Sequence, residues 1–219
     1  MSITDLIGQN TGTSERRIAG VVIGIVTNNK DPDGMGRVKL KFPWRDDSDE
    51  SHWARVAALM AGNERGAFFL PEVDDEVLVA FDHGDISHPY VVGALWNGVD
   101  KPPETNADGK NNIRKIKSRS GHEIILCDDG DSGKEKVEIH TAGGHKILLD
   151  DSKGGEKIEI VDKSGSNSIR IDSVQNSVAI ESSMNLKIKG QQVEIEAGGM
   201  MTVKAGATLT LQGAMVKIN

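Results

Sequence analysis

Three things are scarce in this chain: cysteine, positive charge, and aromatic side chains beyond its first half. The single cysteine, Cys127, has no partner for an internal disulfide and cannot build a cysteine metal site. Lys and Arg number 26 against 33 Asp and Glu, a net charge of −7. That balance argues against a protein that lives by non-specific phosphate binding, which wants a basic face. No apolar run reaches the ~18 residues of a transmembrane helix. The opening MSITDLIGQNTGTSERR has no charged-then-apolar signal pattern, so the expectation is a chain made in the cytoplasm without a signal peptide.

The remaining scarcities divide the chain. Every aromatic residue lies between Phe42 and Trp96 and every proline between Pro32 and Pro103, so residues 104–219 contain neither. The acidic excess also sits mainly in the first half. Aromatics supply the largest buried areas of a globular core, so the second half must be held together in another way. The expected layout is an N-terminal segment (1–17), a first domain (18–103), a linker (104–112) and a second domain (113–219).

The first domain reads as all-β. IAGVVIGIV (18–26), GRVKLKF (36–42), WARVAAL (53–59), DEVLVAF (75–81) and YVVGAL (90–95) are β-rich runs, separated by loops rich in Asp, Gly, Pro and Ser. Five short strands in this length fit a small five-stranded OB-fold barrel. Phe42, Trp44, Trp53, Phe68, Phe69, Phe81 and Trp96 are expected to form its core.

The second domain is a repeat. Apolar pairs one residue apart recur at Val137/Ile139, Ile147/Leu149, Ile158/Ile160, Ile169/Ile171, Val178/Ile180, Leu186/Ile188, Val193/Ile195, Met201/Val203, Leu209/Leu211 and Val216/Ile218. Their spacing tightens from 9–11 residues to 7–8. Alternation within each pair means a short strand with one apolar face, and glycines between pairs supply corners. One strand with two inward aliphatics cannot bury its face alone. Either one chain coils on itself, or three chains wind together as a triangular prism. The missing aromatics favour the narrower threefold interior, so the reading is an obligate homotrimer whose core is the set from Val137 to Leu211. About twelve strands stacked at ~4.8 Å give a needle roughly 55–60 Å long.

Sites for chemistry are few. The acidic runs DDSDE (46–50), EVDDE (72–76) and DDGDSG (128–133) read as solvated loops, and the last lacks the register of a calcium loop. His140 and His145, in HTAGGH, flank a Gly-Gly turn, but their spacing does not make a metal site. No nucleophile elbow or paired-carboxylate pattern is present, Cys127 reads as a packed thiol, and the expectation is no enzyme, no metal and no cofactor. Stacking of single-stranded nucleic acid on the barrel aromatics is opposed by the barrel's acidity.

AGVVIGIVTNNKDPDGMGRVKLKFPW (19–44), WARVAALMAG (53–62), FFLPEVDDEVLVAFDHGD (68–85) and HPYVVGALWNGVDKPP (88–103) resemble the OB domain of contractile-tail spike proteins. That family includes phage baseplate assembly protein V, gp5-like spikes and the matching part of the VgrG proteins of type VI secretion. IKSRSGHEIILCDDG (116–130) resembles the family's entry into its β-helix, and LQGAMVKIN (211–219) its usual end. Gly36, Arg37, Phe42, Pro43, Trp44, Trp53, Arg55, Leu70, Pro71, Glu72, Val73, Asp75, Glu76, Val77, Gly84, Asp85, Pro89, Gly93, Asn97 and Gly98 match its barrel and read as framework.

The resemblance implies an OB collar on a triple-stranded intertwined β-helix, forming the central spike of a contractile injection system or phage-like tail. It implies a baseplate hub protein at the collar and a PAAR-type tip protein on Met215, Val216, Ile218 and Asn219. The target would be a cell envelope, pierced on sheath contraction. Three departures matter. Asp74 stands where the family usually has glycine. No large hub region stands before the barrel in this sequence, so the hub is expected to be a separate protein. No lysozyme-like domain is inserted between barrel and needle, so wall hydrolysis is not expected. A trimeric β-prism adhesin or receptor-binding fibre is the alternative.

Overall fold

A computed structural model describes residues 17–46 and 49–218. The chain divides into two compact units between Ala107 and Asp108.

The first unit is a five-stranded sheet in the order β2-β1-β6-β7-β3. Its strands are β1 (Val21–Asn28), β2 (Lys39–Lys41), β3 (Arg55–Val56), β6 (Glu76–Phe81) and β7 (Pro89–Ala94). A two-stranded hairpin, β4 (Ala61–Gly62) and β5 (Arg65–Gly66), projects between β3 and β6. Neighbours pair antiparallel except β3 with β7, which is parallel. Alternation in β6 buries Val77, Val79 and Phe81 on one side. They pack with Val26, Val38, Leu40, Phe42, Ala54 and Val91 into one core. The core is therefore mostly small aliphatics, and the expectation of an aromatic core is corrected. Of the barrel's aromatics only Phe42 and Phe81 are buried, whereas Trp44, Phe68, Phe69 and Trp96 are exposed. A barrel this small is filled by its inward valines, which leaves rings placed on loops to project outward.

The expected strand over 53–59 shortens to Arg55–Val56. At the glycine departure, Asp74 takes φ 75°, the left-handed conformation that glycine would adopt without cost. The turn is thus kept, held by Asp74 N–H donating to the Val26 carbonyl at 2.9 Å.

The second unit is a seven-stranded antiparallel meander: β8 (Ile113–Lys117), β9 (Glu123–Cys127), β10 (Lys136–His140), β11 (Lys146–Asp150), β12 (Lys157–Val161), β13 (Asn167–Asp172) and β14 (Ser177–Ser182). Each strand pairs with the next, and Gly144 (φ 96°) and Gly165 (φ 72°) turn two of the corners. Within the chain each of β8–β14 is hydrogen-bonded to its neighbours in sequence, and β8 and β14 form the two edges of the sheet. From Ser183 to Ile218 the described residues form no strand. The change falls where the apolar repeat shortens to 7–8 residues, which leaves little room for a five-residue strand and the turn that returns it.

Candidate functional site

The registers of the meander align its aliphatic residues into two columns on one face. The first runs Ile116, Ile124, Ile139, Ile147, Ile160, Ile169, Ile180 through all seven strands. The second runs Leu126, Val137, Leu149, Ile158, Ile171, Val178 and begins on β8 at Arg114. These aliphatic side chains are 36–68% exposed. Soluble chains rarely leave so long a contiguous apolar surface uncovered.

The opposite face is charged and better covered. Lys136, Asp150, Lys157 and Asp172 stand opposite one another on successive strands with alternating sign, a favourable cross-strand arrangement. At its centre Leu148 is 4% and Glu138 7% exposed. The Glu138 carboxylate meets Lys136 Nζ at 2.9 Å, His140 Nε2 at 2.6 Å and Lys146 Nζ at 3.4 Å. Burial pushes its pKa up, but Lys136, His140 and Lys146 outweigh that and hold it at about 2. The single chain therefore covers its charges and exposes its aliphatics. That is inside-out for a monomer.

The expected core residues fall into two groups. Val137, Ile139, Ile147, Leu149, Ile158, Ile160, Ile169, Ile171, Val178 and Ile180 lie in the columns. Leu186, Ile188, Val193, Ile195, Met201, Val203, Leu209 and Leu211 lie on the strandless segment, all exposed. Of the tip residues, Met215, Val216 and Ile218 are exposed, and Asn219 lies outside the described residues. Residues 1–16 of the N-terminal segment also lie outside them.

On the first unit Arg37, expected from the sequence to be framework, forms a clasp with Asp31, which the sequence reading does not single out. Asp31, whose side chain is 3% exposed, accepts from the backbone N–H groups of Asp33, Met35 and Arg37 and from the Arg37 guanidinium. Arg37 and these amides hold its carboxyl well below the usual carboxylate range. Beside the clasp, Met35, Met60, Arg65, Phe68 and Phe69 line an open cup of about 590 Å³. The guanidinium of Arg37 and the ammonium of Lys39 also lie over Trp53, at 5.8 and 5.6 Å.

The acidic runs are occupied by internal partners. Glu50 accepts from Thr27 Oγ1 at 2.7 Å and pairs with Lys39 at 2.6 Å, and Asp49 pairs with Arg45. Asp47 and Ser48 of that run lie outside the described residues. Asp128 pairs with Arg114, and Gly130–Ser132 form a single 3-10 turn between β9 and β10. EVDDE leads into β6. His140 faces Glu138, whereas His145 Nδ1 accepts from the Lys163 N–H, so the two serve different partners. Cys127 is partly buried in β9. Among the described residues no group of three or more His, Cys, Asp or Glu is arranged to hold a metal, and no helix is long and apolar enough to cross a membrane.

A family described as the type VI secretion system/phage-baseplate injector OB domain matches residues 22–96. The chain is 31% identical over 141 residues to the type VI secretion system spike protein VgrG1a of Pseudomonas aeruginosa, covering 59% of this chain and 22% of that protein. Over 82 residues it is 37% identical to spike protein VgrG2a of the same species, covering 36% and 10%. It is 28% identical over 127 residues to the actin cross-linking toxin VgrG1 of Vibrio cholerae, covering 55% and 12%. The chain spans less than a quarter of the length of each of these relatives.

Proposed function

From an injector OB domain over residues 22–96 and its kinship with type VI secretion spike proteins, we propose that this chain is the central spike of a contractile injection system or phage-like tail. The observation that carries the reading is the pair of exposed aliphatic columns. A second and a third copy, each bringing the same face, would bury them around a threefold axis. Each buried Ile or Leu contributes about 1.5–3 kcal/mol, so columns spanning seven strands supply a large driving force. The charged faces would then form the needle's exterior.

Two modes of association would operate. Residues 113–182 would contribute one pre-paired sheet per chain, three sheets closing the prism. Residues 183–218, without ladders of their own, would find them in the other chains, giving the intertwined β-helix. Closure removes free edges and makes the backbone hydrogen bonding continuous. Stiffness of that kind suits a part that pierces an envelope under sheath contraction.

The OB unit would serve as the collar on a baseplate hub protein. Met215, Val216, Ile218 and Asn219 would end the needle in apolar side chains and open strand edges for a PAAR-type tip protein to cover. The protein would act mechanically, without catalysis, cofactor or nucleic acid, as a component of an assembled particle.

An antibody against residues 183–218 tests the placement. It should decorate the baseplate end of intact contractile particles, and decoration along the sheath would refute the reading. Removing residues 214–219 should abolish capture of the tip protein and leave the oligomer intact. Undiminished capture would sink the docking assignment.

A further inference from the structure

Three turns along one edge of the meander share a side-chain device. Ser118–His122 joins β8 to β9, Thr141–His145 joins β10 to β11, and Asp162–Asn167 leads from β12 into β13. Each closes on itself in the same way. The first residue's side-chain oxygen accepts the N–H of the last: Ser118 from His122 at 3.0 Å, Thr141 from His145 at 3.0 Å, and Asp162 from Asn167 at 3.2 Å.

The last residue of each turn then reaches the next turn. His122 Nδ1 accepts the Ala142 N–H at 3.2 Å, and His145 Nδ1 accepts the Lys163 N–H at 3.2 Å. Asn167 Oδ1 accepts the Ser183 N–H, also at 3.2 Å. Extending the strand registers, His122 lies opposite Thr141, His145 opposite Asp162, and Asn167 opposite Ser182. In all three cases the amide taken belongs to the residue just past that opposite position. One geometric rule covers two histidines and an asparagine.

The third staple differs in the chain it releases. Ala142 and Lys163 lead into further paired strands, whereas Ser183 opens the segment without strands. Asn167 is also the most heavily engaged of the three. Its Nδ2 donates to Asp162 Oδ2 at 2.9 Å, and its Oδ1 lies 3.1 Å from the Ser182 hydroxyl. That hydroxyl has one proton and a second acceptor at 3.1 Å, the Asn185 carbonyl.

We infer that Asn167 is a positioning residue: it fixes the point and direction at which the chain leaves its own sheet, so that residues 183–218 are delivered in register to the neighbouring chains. The inference rests on the trimeric reading above. The two histidine staples hold successive turns of a sheet that already has its ladders. Asn167 holds the one residue whose onward path has none, so its loss is felt downstream.

Hydrogen exchange by mass spectrometry on the full-length protein tests this. In Asn167→Ala, peptides from 184–218 should exchange about tenfold faster, equivalent to about 1.4 kcal/mol of local stability, while peptides from 136–161 keep their wild-type rates. Asn167→His should restore protection, because His145 makes the same contact one turn earlier. His122→Ala should leave 184–218 unchanged. Unaltered exchange of 184–218 in Asn167→Ala, within a wild-type trimer that protects this segment, overturns the inference alone, as does equal acceleration of every peptide. A monomeric wild type with an unprotected segment overturns the spike reading and this inference together.

Discussion

Arg37 grips Asp31 with two donors, Nε to Oδ2 at 2.8 Å and Nη2 to Oδ1 at 2.7 Å. The same carboxylate accepts three backbone N–H groups of the loop between β1 and β2. Arg37 reaches Asp33 as well, at 2.5 Å. One carboxylate thus organises a loop that has no regular structure of its own.

Asp31→Ala removes the acceptor of all these donors at once, and unmet buried donors are costly. The melting temperature of the OB unit should fall by about 5 °C or more at neutral pH, read by circular dichroism. Because the folded carboxyl lies below its unfolded value of about 3.9, its contribution is present above that value. It is lost as pH falls through the depressed folded value, so the mutant and wild-type melting curves should converge only in strong acid.

Asp74→Gly should act in the opposite direction. The position already holds φ 75°, and a left-handed conformation costs a side-chain-bearing residue up to roughly 1–2 kcal/mol, less for Asp. A gain of about 0.5–1 kcal/mol is expected in urea unfolding. A loss would mean that the Asp74 side chain has a role beyond the turn.

Glu138 gives a second pH test. Its folded pKa is about 2 against an ordinary 4.5, with Lys136, His140 and Lys146 overcoming burial. Its stabilisation is therefore complete above pH 4.5 and lost between there and about 2. Glu138→Gln should melt several degrees lower than wild type at pH 7, and the gap should close across that window. A gap independent of pH would deny the charge its role.

Much of this architecture is written in period and punctuation. Alternation in DEVLVAF and the paired aliphatics from Val137 to Ile180 mark strands because their faces differ so sharply, and the glycines at the corners mark where they turn. The aromatic rings mislead, since size suggests burial while Trp44, Phe68, Phe69 and Trp96 sit on loops around a core already filled by valine. The clasp at Asp31 is local, yet nothing in D-P-D-G-M-G-R states that one carboxylate collects the loop's amides. The staples are also visible, as S-R-S-G-H and T-A-G-G-H, but their partners are set by the strand register. Beyond Ser182 the apolar pattern continues while the strands stop, where the shortened repeat leaves little room for a strand and the turn that returns it.

The exposed columns can be tested by a charge. Ile147→Asp, on the aliphatic face, should leave the single-chain sheet folded and abolish association, since an unpaired charge in the closed interior costs several kcal/mol. Ser177→Lys, on the opposite face and facing Asp172, should associate like wild type. Size-exclusion chromatography of the two variants side by side reads the difference.

Closure of the aliphatic columns around a threefold axis is the central claim, and solution mass by light scattering addresses it most directly. Three chains of 23.5 kDa give about 70 kDa, and that value is expected, with a species that survives SDS until heated. A stable 23.5 kDa particle would contradict it, because a folded monomer would leave both columns open to water.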